Sequence, residues 1–454
     1  MSRLRFPHPL TLLVAGVFIA TALTYVLPAG EFERREDSAT GRRVVVAGTY
    51  HAVPRTPVGP FQALVAIPKG VADAVSVICL VFLAGGAFTV VDKTGALRHG
   101  GDWLAKKLER REALVIPVVS LAFATAGALE HLQEEIIALI PVLLVLTRRV
   151  GFDALTAAAM SIGAAAVGAA FSPMDPFQVG IAQKLAQLPL LSGSAFRLVF
   201  LALAVGIWIW GTIRHALRIR TTPHAASAAA APPPPPPPTP FGPRQGIVLA
   251  IVLLTFVVFV YGVMVLGWDF DQMSALFFLM GVLAGLIGGL RFDGTATAFV
   301  EGFASMAFAG MVIGFARAIY VVLAEGHVID TIVQGLFTPI AHLPVALSAV
   351  GMMAVHTLVH VPVPSVSGQA VLTMPILVPL SDLLGLSRQV TVLAYQYGAG
   401  LCELLTPTNG ALMAIIAAAG VRYEQWLRFL LPLYAALAGL GVVAIGIGIA
   451  VGLR

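Results

Sequence analysis

Carboxylic acids inside apolar sequence are the residues of this 454-residue chain with the clearest capacity for chemistry. Five of them lie within apolar stretches: Glu130, Glu134, Glu135, Asp175 and Glu403. An unpaired charge at the centre of a bilayer costs at least about 2.5 kcal/mol, so acidic residues at that depth usually mark an ion or substrate pathway. Glu134, Glu135 and Asp175 could instead cap helix starts. Glu403 is predicted one turn before a helix break, where a structural hydrogen bond is an equal alternative.

Two apolar helices are each predicted to break at a cluster of prolines and polar side chains. The breaks lie at 172–176 and 406–410. A broken helix leaves free N–H groups, which suit a substrate carboxylate, and free C=O groups, which suit Na⁺ or a proton carrier. The polar side chains of the breaks are therefore predicted substrate ligands, with helix capping as the plain alternative: Ser172, Asp175, Thr406, Thr408 and Asn409.

Two further apolar stretches are interrupted by polar tips, at 130–135 and 362–369. Each pattern of apolar limb, polar tip and apolar limb predicts a re-entrant hairpin, because irregular backbone at membrane depth requires surrounding protein or a water-filled cavity. The tips supply the remaining predicted substrate-binding residues: Glu134, Glu135, Ser365, Ser367 and Gln369.

Ion coupling is predicted from the same polar clusters, with Na⁺ or a proton as the ion and no other cofactor. The candidates are Asp175, Glu134, Asn409, Glu403 and His360. His356 and His360, one helical turn apart, could relay protons or only satisfy backbone carbonyls. No metal site is predicted, since the segment 131–134 lacks the second histidine of zinc-protease motifs. Arg317 is expected to form a structural ion pair.

The composition predicts a polytopic membrane protein. Hydrophobic residues make up 58% of the chain and charged residues 11%, with a mean hydropathy of +0.91. Soluble domains are about 45–50% apolar and about 25% charged. The net charge of +5 comes from basic residues beside apolar segments, which indicates membrane topology rather than nucleic-acid binding. Cys79 and Cys402 both lie in apolar sequence and predict neither a disulfide nor a thiolate metal site.

The chain divides into two halves at a Pro/Ala-rich linker, 221–245, with seven consecutive prolines that form a semi-rigid spacer. The first half, 1–220, contains membrane spans, a polar loop at about 31–60, an inward hairpin at about 113–148 and a broken helix at about 153–187. The second half, 246–454, contains membrane spans, an outward hairpin at about 343–384 and a broken helix at about 388–420.

A gapless offset of 234 positions superimposes the two halves. It places Pro141 on Pro375, Glu135 on Gln369, and the first helix break on the second. Matching interruptions in two halves are the best pointer in a sequence to the binding site of a transporter. Both hairpins and both breaks are therefore predicted to meet at one site.

The basic residues orient the two halves in opposite senses. The first hairpin has basic residues at both outer ends, at 106–111 and 148–149, and is predicted to enter from the cytoplasm. With the N-terminus inside, the linker is cytoplasmic and the second hairpin opens outward. The predicted fold class is an all-α polytopic membrane protein with two inverted-topology repeats, each with a re-entrant hairpin and a broken transmembrane helix.

Seven short motifs are spread over nearly the whole chain outside the proline linker. They are PAGE at 28–31, PVGPF at 57–61, AIPKG at 66–70, KTGA at 93–96, PFQVGIAQ at 176–183, ARAI at 316–319 and LTPTNG at 405–410. With these motifs the sequence resembles the YfcC family, within the DcuC-like group of the ion transporter superfamily. The motifs are specific for the family but not for a substrate.

The resemblance implies an elevator-type secondary transporter in the cytoplasmic (inner) membrane of a bacterium. Two hairpin tips and two broken helices would enclose one small-molecule substrate and move against a scaffold, usually in a homodimer within the lipid bilayer. The group is associated with C4-dicarboxylates and with amino acids, including a basic amino-acid antiporter. The family usually has asparagine before the Pro-Phe of the first break, where this chain has Asp175, so the role of that residue is not carried over.

The predicted intramembrane charge favours an amino acid, basic ones included, as the substrate. Five carboxyl groups face only Arg317 and histidines of undetermined charge, so a substrate amino group could meet Glu134, Glu135 or Asp175. A C4-dicarboxylate carrier is the alternative, since bound Na⁺ or protons would reverse the charge count. A channel with paired re-entrant loops is a further alternative. No enzyme is expected, because neither a nucleophile–base pair nor a metal triad is present.

Overall fold

A computed structural model describes residues 9–37, 42–96, 114–221, 242–266 and 268–453 of the chain. Within these ranges the chain is mostly helical. The basic residues predicted to precede the first hairpin, at 106–111, lie outside the described residues, and so does the proline run at 232–238.

The first half is a series of helices interrupted twice. The helices are α1 (Pro9–Val26), α2 (Pro60–Asp73), α3 (Val75–Lys93), α4 (Val115–Glu130), α5 (Ile140–Arg149), α6 (Ala154–Ala158), α7 (Ala164–Ala170), α8 (Ile181–Leu185) and α9 (Ser194–Thr221). A 3₁₀ turn, Glu134–Leu139, leads into α5, and π turns at Ala159–Gly163 and Pro176–Gly180 lead into α7 and α8.

The second half repeats this order of interrupted helices. It contains α10 (Pro243–Leu266), α11 (Phe270–Ile287), α12 (Arg291–Glu325), α13 (Ile329–Phe337), α14 (Val345–His360), α15 (Val366–Leu383), α16 (Arg388–Cys402), α17 (Gly410–Ala418) and α18 (Tyr423–Ala450). A 3₁₀ turn, Thr338–His342, precedes α14. Each half therefore has a pair of helices joined by a short polar tip, followed by a helix that is broken.

Four short strands lie where the sequence predicts a polar loop. β1 (Gly30–Glu31) pairs with β4 (His51–Ala52), and β2 (Arg34–Asp37) pairs with β3 (Arg42–Val45), both antiparallel. β3 packs against α15 of the second hairpin. Asp330 of α13 fixes the ribbon, because it accepts hydrogen bonds from the Phe32 N–H at 2.9 Å and from Arg34 at 2.8 Å.

Six of the described helices are long and apolar enough to cross a membrane: α3, α9, α11, α12, α15 and α18. The sequence predicts a shorter apolar limb at about 370–380 where α15 lies. Pro375 and Pro379 do not end that helix, which begins early because Ser365 caps it. Whether the two hairpins are re-entrant remains a prediction.

One group of helices packs around the 35-residue α12. α1, α2, α3 and α17 all lie against it. Small residues permit the closest approach, since Gly302 of α12 lies against Gly86 of α3, and Gly314 of α12 against Gly70 of α2. Arg317 of α12 pairs with a carboxylate of α2, in agreement with its predicted structural role. We refer to α1, α2, α3, α10, α11 and α12 as the scaffold helices.

In each half, the first limb of the hairpin packs along the broken helix. α4 packs along α7, and α14 packs along α16, so each hairpin lies beside the broken helix of its own half. A Cβ on Gly127 would overlap the Ala165 carbonyl oxygen, and a Cβ on Gly168 would overlap the Ala124 carbonyl oxygen. α4 and α7 are therefore interlocked at two points where backbone meets backbone.

Two predicted boundaries differ from the structure. The sequence predicts Glu403 one turn before the second break, whereas α16 ends at Cys402 and Glu403 begins the break. The helix ends early in a tight turn, in which the Cys402 carbonyl oxygen accepts hydrogen bonds from the N–H groups of residues 405 and 406. Ser367 and Gln369, predicted in a tip loop, lie in the first turns of α15, because Ser365 accepts a hydrogen bond from the N–H three residues later.

Gly168→Ala is expected to lower the free energy of unfolding by roughly 1–3 kcal/mol, since the added methyl group meets backbone that cannot move aside. Gly206→Ala in α9 is the matched control, because nothing lies within 4 Å of a Cβ at that position. Alanine favours helix, so the control should be neutral or slightly stabilising. Thermal unfolding in detergent compares the two. Equal effects would mean that α4 and α7 are not interlocked.

Candidate functional site

The tip of the first hairpin reaches both helix breaks. α4 ends at Glu130, and His131 then adopts a left-handed backbone conformation with φ 54° and ψ 33°. This conformation is uncommon for a residue with a Cβ and costs of order 1–3 kcal/mol, so surrounding contacts must hold it. The turn directs the imidazole ring of His131 between the two breaks.

The His131 ring lies between two carboxylates from different halves of the chain. Its Nδ1 is 2.6 Å from Oδ2 of Asp175, and its Nε2 is 3.3 Å from Oε1 of Glu403. Asp175 is fully buried and Glu403 is 6% exposed, so water screens these interactions little. His131, Asp175 and Glu403 are called the charged cluster below.

Two amide side chains extend the charged cluster. Nε2 of Gln133 donates a hydrogen bond to Oε2 of Glu403. Nδ2 of Asn409 donates to Oε1 of Gln133 over 3.2 Å and also to the Glu403 carbonyl oxygen over 3.2 Å. Both carboxylate oxygens of Glu403 are therefore held, one by the imidazole ring and one by an amide.

Asp175 also begins the second half of the first broken helix. Its Oδ1 accepts hydrogen bonds from the N–H groups of residues 177 and 178, at 2.8 and 3.0 Å, while its Oδ2 faces His131. Ser172 Oγ accepts from the Asp175 N–H at 2.8 Å and donates to the Ala128 carbonyl oxygen at 2.6 Å. The first break is thereby tied to α4.

Asn409 has the corresponding position in the second break. Its Oδ1 accepts a hydrogen bond from the Leu412 N–H at 3.1 Å and so caps α17. The hydroxyls of Thr406 and Thr408 lie 2.7 Å apart, and Thr408 donates to the Val361 carbonyl oxygen at 2.7 Å. Each break is therefore capped by the residue that the 234-position offset pairs, and each is tied by a hydroxyl to the hairpin of its own half.

Two imidazoles of the second hairpin approach the charged cluster from another side. His356 and His360 of α14 are fully buried. Nδ1 of each lies 2.9 Å from the Gln369 side chain. Nε2 of His360 lies 4.0 Å from Oε1 of Glu403. Gln369 therefore positions the histidines and does not itself reach the charged cluster.

A buried arginine connects the first break to α16. Arg197, with 0% exposure, donates to Oε1 of Gln396 at 3.1 Å and to Oε1 of Gln389 at 3.0 Å. Nε2 of Gln396 donates to the Ser172 carbonyl oxygen at 2.7 Å, and the Gln396 carbonyl accepts from Gln178 at 2.8 Å. These acceptors are neutral, so removing any of them would leave a buried cation poorly solvated.

A cavity of about 440 Å³ lies beside the tip of the second hairpin. Its wall includes Ser365 together with Arg34, Arg43 and Arg317. Arg34 is paired with Asp330, and Arg317 with a carboxylate of α2. Arg43 is exposed and has no ion-pair partner among the residues that the structure describes. Because the wall also includes the acidic Glu31 and Asp330, Arg43 is the group through which this cavity would attract an anion.

Four predicted substrate residues outside the charged cluster lie at helix starts. Glu134 is half-buried at the start of the 3₁₀ turn, and Glu135 accepts a hydrogen bond from the Gln133 N–H at 3.1 Å. Ser365 caps α15, and Ser367 lies in the first turn of that helix. These side chains therefore lie where the alternative prediction, helix capping, would place them.

His131, Gln133, Gln396 and Arg197 were not selected from the sequence. The first two belong to the polar tip at 130–135, where the acidic residues drew the prediction although their polar neighbours make the contacts. Gln396 and Arg197 are isolated polar residues at or near apolar stretches. A single sequence contains no signal that separates such a buried residue from an exposed one.

Asp175→Asn is expected to lower the free energy of unfolding less than Asp175→Ala, because asparagine keeps the helix cap and loses only the charge beside His131. Asp175→Ala should lower it by about 1 kcal/mol more, because the cap is lost as well. Thermal unfolding of both variants in detergent checks this. Equal losses in the two variants would mean that the charge beside His131, and not the cap, stabilises the break.

Comparisons with known proteins place the chain in a family. Residues 6–451 match the model of the DcuC family, described as C4-dicarboxylate anaerobic carrier. An Escherichia coli protein named "Putative basic amino acid antiporter YfcC" is 31% identical, over 94% of this chain and 93% of its own length. An uncharacterized protein of Haemophilus influenzae is 26% identical, over 96% of each chain.

Two solved transporter structures also align over nearly the full length. They are the YdaH transporter of Alcanivorax borkumensis, with a TM-score of 0.43 over 98% of this chain and 99% of that one, and MtrF of Neisseria gonorrhoeae, with 0.40 over 97% and 95%. Both are 16% identical in sequence, and neither alignment is close enough to assign the fold. On the family match and its full-length relatives, the chain belongs to the DcuC family and is a multi-pass membrane transporter, not an enzyme.

Proposed function

We propose that this chain is a secondary active transporter of an amine-bearing carboxylate, and that basic amino acids are its first candidates. The charged cluster carries the proposal, because two buried carboxylates converge from the two helix breaks on one imidazole. A substrate ammonium group would bind between Asp175 and Glu403, where the His131 ring now lies. Carboxylates at this depth are retained against a substantial desolvation cost, which supports a functional role.

The carboxylate end of the substrate would lie at the start of α17. This half-helix begins directly after Asn409, and its positive dipole end, with the first-turn N–H groups that Asn409 does not cap, favours an anion. Gln133 and Asn409 supply neutral donors between that helix start and Glu403. A substrate with one ammonium and one carboxylate thus finds groups of opposite charge within a single site.

The proposed transport cycle is of the elevator type, in a homodimer in the bacterial inner membrane. Two inverted repeats would each contribute a re-entrant hairpin as a gate and a broken helix as a wall. The bonds from Arg197 through Gln396 to Ser172 join the first break to α16, which supports a unit that moves as one body. The scaffold helices around α12 would be the fixed part.

A C4-dicarboxylate is the second candidate substrate. The cavity beside the second hairpin supports it through Arg43, an exposed guanidinium in its wall, whereas Arg34 and Arg317 there are already paired with carboxylates. The charged cluster would then hold Na⁺ or protons, which would reverse the charge count of the site. The family is described as a C4-dicarboxylate carrier, and the Escherichia coli relative is named a putative basic amino acid antiporter, so both substrate classes occur among the similar proteins.

Counterflow in proteoliposomes distinguishes the two substrate classes. We expect exchange of arginine or ornithine by the wild-type protein. Asp175→Asn and Glu403→Gln should each slow that exchange about ten- to a hundredfold, because a hydrogen bond to a charged group contributes about 1.5–3 kcal/mol. Neutral amino acids and succinate, each with and without Na⁺, complete the set. Exchange of succinate alone would contradict the proposed substrate and favour the second candidate.

Asp153→Asn is the matched control for Asp175→Asn. Asp153 also caps a helix, accepting from the Thr156 N–H at 2.9 Å, and also lies beside a histidine, with His215 at 3.2 Å. It lies outside the charged cluster, so exchange should continue at the wild-type rate. An equal loss in this control would mean that the substitution acts through folding and not through the proposed site.

A further inference from the structure

We infer that the ion exchanged for the substrate is a proton carried by His131, which competes with the substrate amino group for the same two carboxylates. This inference rests on the proposed function, because it names the ion that the same site exchanges. The observation behind it is the position of one imidazole between carboxylates of two broken helices, 2.6 Å from Asp175 and 3.3 Å from Glu403.

The two carboxylates beside His131 favour a protonated ring. An ionised carboxylate only accepts hydrogen bonds. A neutral imidazole that donates to Asp175 presents a lone pair at Nε2, which could accept from the Gln133 amide at 3.3 Å but would face Glu403 with like charge. An imidazolium donates from both nitrogens and satisfies Asp175 and Glu403 together. The proton is therefore part of what holds the tip of the first hairpin on both breaks.

The surroundings of the ring leave His131 as the cation of the cluster. From the second hairpin, His360 faces Glu403 at 4.0 Å. Glu134 and Glu135 lie on the same hairpin tip as the ring. α3 and α17 also pack on that hairpin, and among the described residues they place no ionisable side chain within ion-pair distance of His131.

A substrate ammonium group and the imidazolium exclude each other, because two cations would share the same two carboxylates. When the substrate binds, the Nε2–H proton of His131 passes to water on the open side, and the ammonium takes over hydrogen bonds to Asp175 and Glu403. The cluster keeps one added positive charge throughout. Reversal of the step restores the proton, so one substrate cation moves against one proton.

Proton loss without substrate would also loosen the gate. The left-handed backbone of His131 stores strain that its two ion pairs hold in place. A neutral ring keeps one of these bonds and loses the other, so the hairpin tip is released from one break. An empty, deprotonated carrier is then poorly closed, which favours exchange over net uptake.

Hydrogen exchange of the full-length protein in detergent tests this clamp without any substrate. At about pH 6, the backbone N–H groups of residues 131–139 should exchange at least about tenfold more slowly in the wild type than in His131→Gln, because only the protonated ring bridges both carboxylates. At about pH 9 the difference should be several-fold smaller, because the neutral ring keeps only one of its two bonds. A difference of equal size at both pH values, or none at either, would overturn the inference.

His215→Gln is the matched control for this measurement. His215 lies 3.2 Å from Asp153, which is likewise a helix-capping aspartate, but the pair lies outside the charged cluster. The variant should exchange residues 131–139 at the wild-type rate at both pH values. If it accelerates exchange as much as His131→Gln, the protection reflects overall stability and the inference fails.

A measurement of proton release on arginine binding distinguishes this inference from the proposed function. Arginine added to weakly buffered wild-type protein at about pH 6 is expected to release about one proton per molecule bound, by linkage between the two ligands. His131→Gln should bind arginine without proton release. Arginine binding without release from the wild type would overturn the proton inference alone. A pH-dependent clamp in a protein that does not bind arginine would contradict the proposed substrate and leave the clamp standing.

Discussion

Backbone groups left unpaired by a broken helix, inside an apolar bundle, are the constraint on which the rest of this structure depends. Each unsatisfied group there costs several kcal/mol. Asp175 and Asn409 satisfy the N–H groups at the two restarts, and the hydroxyls of Ser172 and Thr408 bond to carbonyls of the neighbouring hairpins. Since the same side chains cap a helix and join two elements, the breaks are stable only where the hairpins meet them.

The first hairpin and Arg197 bind the first break from different elements. His131 reaches Asp175 and Glu403, and so connects the two halves of the chain at the tip. Arg197 holds Gln396, whose amide bonds to the break at Ser172. The charge is distributed unevenly between them, with carboxylates at the tip and a cation held by neutral acceptors behind.

Much of this organisation could be predicted from the sequence, because breaks and tips depend on local residues. Proline and capping side chains act on their own neighbours, so the sequence predicts both breaks to within a few residues, and Asp175 and Asn409 lie at the two helix restarts. The contacts of the tips are harder to predict. The charge of Glu134 is visible in a sequence, whereas the left-handed turn that aims His131 depends on the folded surroundings. Contacts between halves, such as Gln396 to Ser172, have no local signal.

The interlock of Gly127 and Gly168 has a mechanical consequence for the first hairpin. α4 touches α7 backbone to backbone at two points, which fixes both its rotation and its sliding relative to that helix. The first limb therefore has no freedom of its own. A hinge in this hairpin would lie beyond His131, in the 3₁₀ turn before α5, because 3₁₀ hydrogen bonds have poorer geometry than those of an α-helix. The first limb of the hairpin is therefore fixed on α7, and a movement of the hairpin would be confined to its second limb.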